Sequence, residues 1–79
     1  STIDLQMAYA HFLSYSFNQS NKAIEVLNNA LPLVRSKFQK GQIQIKLADI
    51  LVFTNQFNQA LILYSQVQTN LKNSVLAQE

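Results

Sequence analysis

The sequence predicts an all-α fold, two antiparallel helix-turn-helix hairpins stacked as an α-solenoid, and three observations lead there. Apolar residues recur at helical spacing along almost the whole 79-residue chain. Short polar breaks at Asn18 and at Thr54-Asn55-Gln56 interrupt that pattern where a helix has to reverse. Finally, Gln19 to Leu27 overlays Gln56 to Tyr64 at an offset of 37 residues, matching the break, a small residue (Ala23, Ala60) and a large residue four positions later (Leu27, Tyr64). A two-helix unit recurring at such a period buries its spare face on the next unit, which is the solenoid principle.

The first helix is expected over about 3–17. Leu5, Ala8, Tyr9, Phe12, Leu13 and Tyr15 make a broad apolar face, Asp4 suits the positive end of the helix dipole, and Ser1 stands in an S-x-x-D relation to it. Asn18 ends the pattern, since Asn tolerates the left-handed conformation in which helices commonly terminate. The second helix spans about 20–34 from a Ser20 N-cap through Ala23, Ile24, Val26, Leu27, Ala30 and Leu31. Pro32 either ends it near Leu31 or kinks it, because proline lacks an amide donor and clashes with the carbonyl four residues back.

The third helix is expected over about 37–54. Ser36 followed by Gln39 forms a capping box, which favours a start at Lys37 over Gln42 although it places Gly41 inside the helix at a cost of ~1 kcal/mol. Ile43 to Leu47 also alternates like a strand, but no second strand-like run exists to pair with it, whereas Leu47, Ile50 and Leu51 continue at helical period. The fourth helix, about 56–72, carries Ala60, Leu61, Tyr64 and Val67, and Asn73-Ser74 is expected to break it. Ser74 then caps a further helix begun by residues 75–79. The break before the fourth helix is so short that the third and fourth must be antiparallel neighbours, with Ala48 and Ala60 where the backbones approach.

The second unit resembles a tetratricopeptide repeat (TPR). The family pattern W-x2-L-G-x2-Y, A-x3-F, P falls on Gln44, Leu47, Ala48, Leu51, Ala60, Tyr64 and Lys72; Gln44 and Lys72 take the Trp and Pro slots. Asn55 stands where the family often turns on Gly and Phe57 where it often has an aromatic. The first unit offers Met7, Ala10, His11 and Ser14, then Ala23, Leu27, Ala30 and Arg35. On this resemblance residues 1–79 form a single TPR-like domain, with repeat one at about 4–37, repeat two at about 41–74, and more repeats in a longer protein. The resemblance implies a concave binding face lined by the first helix of each pair: Leu5, Ala8, Phe12 and Tyr15, then Gln42, Ile45, Asp49 and Val52. The basic-and-Asn clamp with which some members hold a carboxyl terminus is not matched, because Ala8, Phe12, Ile45 and Asp49 occupy those places.

Composition bounds the function. The chain is 48% hydrophobic and 13% charged, with one Gly, one Pro and no Cys, which is too apolar for a disordered segment. Its longest apolar runs, Ile50 to Phe53 and Ala60 to Tyr64, fall far short of the ~20 residues of a membrane span. No basic-then-apolar leader stands at Ser1. The net charge of +2 supports neither nucleic-acid nor membrane binding, although Arg35, Lys37, Lys40 and Lys46 crowd together. That cluster reads either as a solvated connector or as a small patch for anions.

Chemistry has little to stand on. His11 is the sole histidine, flanked by Ala10 and Phe12, and reads as a packing or surface residue rather than a base. Four scattered acids and one His offer no metal set, and one glycine permits no phosphate loop. No catalytic residue or cofactor is expected and the chain is not expected to be an enzyme. The aromatic residues Tyr9, Phe12, Tyr15 and Phe17 read as core rather than as a base-stacking platform, so nucleic-acid binding is the remotest alternative. What remains is a protein-protein interaction scaffold module with a protein or peptide partner, or a structural segment that stacks on other repeats. Two repeats are fewer than the three that solenoids generally need, so the isolated chain is expected to form a homodimer. Compartment and partner identity have no signature in these residues.

Overall fold

The computed structural model describes residues 2–14 and 19–77. They form four α-helices, α1 (Thr2–Ser14), α2 (Ser20–Ala30), α3 (Lys37–Phe53) and α4 (Phe57–Ala77), with one 3-10 turn at Leu31–Leu33. No strand occurs among the described residues, and Ile43 to Leu47 is helical. The Ser1 cap and the termination of the first helix at Phe17-Asn18 lie outside the described residues. α1 packs chiefly on α2 and α3 chiefly on α4, with lighter contacts from α2 and α1 to α3.

Local chemistry explains the boundaries. The Leu31 amide still reaches Leu27 O, but Pro32 has no amide to offer Asn28, and the chain tightens into a 3-10 turn closed by Val34 N–H to Leu31 O at 3.3 Å. The backbone is extended by Val34. The second α-helix therefore ends at Ala30, short of the expected residue 34. At Ser36 the backbone is extended and its hydroxyl oxygen accepts the Gln39 amide at 3.1 Å. Gln39 Oε1 reaches back to the Arg35 amide at 3.2 Å, one residue before the one a standard capping box engages. α3 thus starts at Lys37 with Gly41 inside it.

The α3–α4 reversal is a complete Schellman motif. Asn55 has a φ of 65°; its amide bonds Val52 O at 3.0 Å and the Gln56 amide bonds Leu51 O at 2.7 Å. Thr54 Oγ1 donates to Ile50 O, and Gln56 Nε2 donates to Thr54 Oγ1 at 2.9 Å, so the polar break is hydrogen-bonded within itself. At the other end of α4 the expected break fails. The helix runs through Asn73 and Ser74 to Ala77, so residues 75–77 continue α4 rather than open another helix. Two weak helix formers cost a few tenths of a kcal/mol each, far less than ending and renucleating a helix.

The core runs through both helix pairs. Ile3, Ala10 and Leu13 from α1, Ala23, Leu27 and Ala30 from α2, and Ile43, Leu47 and Ile50 from α3 form one buried cluster. Ala48, Leu51 and Ala60 form a second between α3 and α4, and Ile24 and Leu63 pack against both. Buried alanines sit where helices come closest, as expected for Ala48 and Ala60. The face expected of the first helix is corrected: Leu13 is buried, but Leu5, Ala8, Tyr9 and Phe12 are exposed, so Tyr9 and Phe12 are not core; Tyr15 lies outside the described residues. α1 is apolar around much of its circumference, so spacing alone does not choose its inner side; the close approach of α2 through Ala23 and Ala30 selects the stripe that carries the small Ala10.

Candidate functional site

The residues that the resemblance assigned to a binding face are on the surface wherever they are described. Leu5 is 72% and Phe12 64% exposed, and Ala8 lies on the same stripe of α1. Ile45, Asp49 and Val52 are exposed along α3, and Gln42 is half-buried. Tyr15 lies outside the described residues. Helical geometry puts positions 5, 8 and 12 on one side of α1 and 42, 45, 49 and 52 on one side of α3, because residues three and four apart are surface neighbours.

A cross-helix hydrogen bond joins the two helices that carry these stripes. Lys46 Nζ approaches His11 Nδ1 at 2.6 Å, joining α1 to α3. An ammonium only donates, so Nδ1 is the accepting nitrogen in this contact. His11 adjoins Ala8 and Phe12 on α1, while Lys46 adjoins Gln42, Ile45 and Asp49 on α3. His11 is exposed, the surface imidazole that was one of the two sequence readings.

Asp49 has a second partner that spacing did not reveal. The Tyr64 hydroxyl of α4 donates to Asp49 Oδ1. That hydrogen bond, then burial, then the carboxylate's negative charge push the phenol up from 10.0 to about 12, because all three disfavour a tyrosinate. Tyr64 therefore both packs beside Ala60 and ties α4 to α3 next to the candidate face.

A further feature lies at the opposite end of α3. A groove of about 460 Å³ runs between the first turns of α3 and the later turns of α4, walled by Phe38, Ile45, Val67 and Leu71 and edged by Lys37. Gly41 leaves it open: a Cβ there would meet only Val67 Cγ1, at 3.9 Å. A shallower cavity of about 660 Å³ adjoins it, lined by Lys40, Leu61 and Ile62 among others, and Gln44 lines both. The sequence signal for this groove was Gly41 inside a helix, beside the basic cluster.

Among the described residues no three His, Cys, Asp or Glu side chains group as a metal site, and no helix is long and apolar enough to cross a membrane. Comparison with protein-family models, with curated proteins and with solved structures gives no match.

Proposed function

We propose that the chain is a protein-protein interaction module of the tetratricopeptide-repeat type, built as two stacked hairpins and binding an apolar stretch of a partner on the face shared by α1 and α3. The observation that carries this reading is the pair of exposed apolar stripes, Leu5 and Phe12 on α1 and Ile45 and Val52 on α3, on two helices that the Lys46–His11 bond joins. Side chains of this size in water are costly to leave uncovered, and a partner segment that buries them recovers ~25 cal/mol per Å² of apolar surface. The buried alanines and the repeated break, small residue and large residue support the repeat assignment.

The test is affinity capture of partners on the immobilised chain beside a Phe12→Ser/Val52→Ser variant and a Phe53→Ser control, all three checked for unchanged thermal unfolding. The partner bound by the wild-type chain and by the control is expected to be lost from the double variant. Retention by the double variant would remove this face from consideration.

Self-association is a second reading, supported by Leu61 and Ile62 of α4, which are 64% and 58% exposed. In that reading the same chain stacks on a copy of itself and needs no separate ligand.

A further inference from the structure

We propose that the groove between the first turns of α3 and the later turns of α4 is a second, separate binding site, for an apolar peptide segment flanked by acidic residues. Its walls are apolar: Phe38 is 74% and Leu71 61% exposed, with Ile45 and Val67 between them. Its edge is basic. Lys37 lines the groove, Lys40 lines the adjoining cavity, and among the described residues no Asp or Glu lines either. The positive end of the α3 dipole lies at the same end of the groove, so an occupant with carboxylates beside its apolar anchors matches the local charge.

A buried acceptor narrows the chemistry. Gln44 is 94% buried, lines both cavities, and its Oε1 has no hydrogen-bond partner, while its Nε2 makes a long 3.4 Å bond to Gln66 Oε1. An unmet buried acceptor carries a desolvation cost that an N–H donor removes. The last torsion of a glutamine side chain is soft, so the amide can adjust to a donor that enters beside it. A peptide supplies such a donor from its backbone or side chains, whereas an alkyl carboxylate does not. Two members of the basic cluster that reads from the sequence as either a wet connector or an anion patch, Lys37 and Lys40, thus stand at the rim of an apolar site. The site shares Gln42 and Ile45, at its border, with the α1–α3 face, but its apolar walls and basic edge do not rest on that assignment.

The probes are three fluorescein-labelled twelve-residue peptides: one with a Trp and a Leu four positions apart between Glu residues, one with Lys in place of every Glu, and one with Ser in place of Trp and Leu. They are titrated by anisotropy and followed by amide NMR on the isotope-labelled chain. The acidic apolar peptide is expected to move the Gly41, Val67 and Leu71 amides and the Gln44 side-chain NH2, and to bind at least tenfold tighter than the other two. Lys37→Glu/Lys40→Glu should reverse the preference between the charged peptides. Gly41→Leu, whose first carbon has room, should lose at least tenfold in affinity at an equal or higher Tm. Any one of four results overturns the proposal: equal binding of the acidic and basic peptides, no binding of the acidic one at millimolar concentration, shifts centred on Phe12 and Val52, or a dimer in sedimentation that Gly41→Leu disperses.

Discussion

At a φ of 65°, Asn55 occupies the left-handed conformation that lets the backbone turn from α3 into α4 within a few residues. Most L-residues pay for that conformation, whereas glycine does not and asparagine pays little. Asn55→Gly is therefore expected to be neutral in thermal or urea unfolding, whereas Asn55→Val should cost about 1–2 kcal/mol. Equal stability of the two variants would show that the turn does not depend on this conformation. Tyr64 gives a residue-scale prediction in pH. Its folded pKa of about 12 lies above the ordinary 10.0, so the folded chain retains a proton that the unfolded chain releases between those values. The resulting stabilisation is complete below pH 10 and is lost as pH rises through about 12. In a Tyr9→Phe/Tyr15→Phe background the tyrosinate absorbance should titrate near pH 12 and fall back toward 10 on Asp49→Asn; an unchanged midpoint would exclude Asp49 as the principal cause.

Each helix met its partner through small residues, and that decided which sequence readings survived. Ala60 is buried against Ala48 and Leu51, with Tyr64 beside it, so α3 and α4 approach closely there. Ala60→Leu should overpack the crossing and lower stability by ~1–3 kcal/mol in chemical denaturation. A neutral result would mean that the crossing has slack. The same principle explains the error in α1: the larger apolar residues looked like its inner face, yet Ala10 and Leu13 face α2 while Leu5 and Phe12 face water. Where polar and apolar residues segregate cleanly, as at Ala23, Leu27 and Ala30 of α2, the inner face was legible from spacing. Helix ends followed the strength of their chemistry. Pro32, Ser36 and Asn55 act through a missing donor, a side-chain cap and a backbone preference, and each marks a real boundary. Asn73-Ser74 had only weak propensity behind it, and α4 passes through.

The whole molecule is a slab of 46 × 30 × 16 Å, with a radius of gyration of 13.0 Å where a globular chain of this length has about 12 Å. Its accessible surface is 5689 Å², against about 4,900 Å² for a compact monomer of its mass. The excess of about 800 Å² is what one side of a standard protein interface buries. Self-association at high concentration is the expected outcome, with Leu61→Gln/Ile62→Gln restoring the monomer. Sedimentation as a 9.0 kDa species at several hundred micromolar would exclude it.

The helical class, the four helices, the α3 cap and the Asn55 turn were determined by the sequence itself, because each rests on interactions within a few residues: apolar periodicity, a serine before an amide, and a backbone preference. The inner side of α1, the Lys46–His11 and Tyr64–Asp49 bonds and the groove over Gly41 were decided only by tertiary structure. Each joins residues on different helices, and its existence depends on which side of each helix the small residues draw inward. Local spacing leaves that side open wherever a helix is apolar all round.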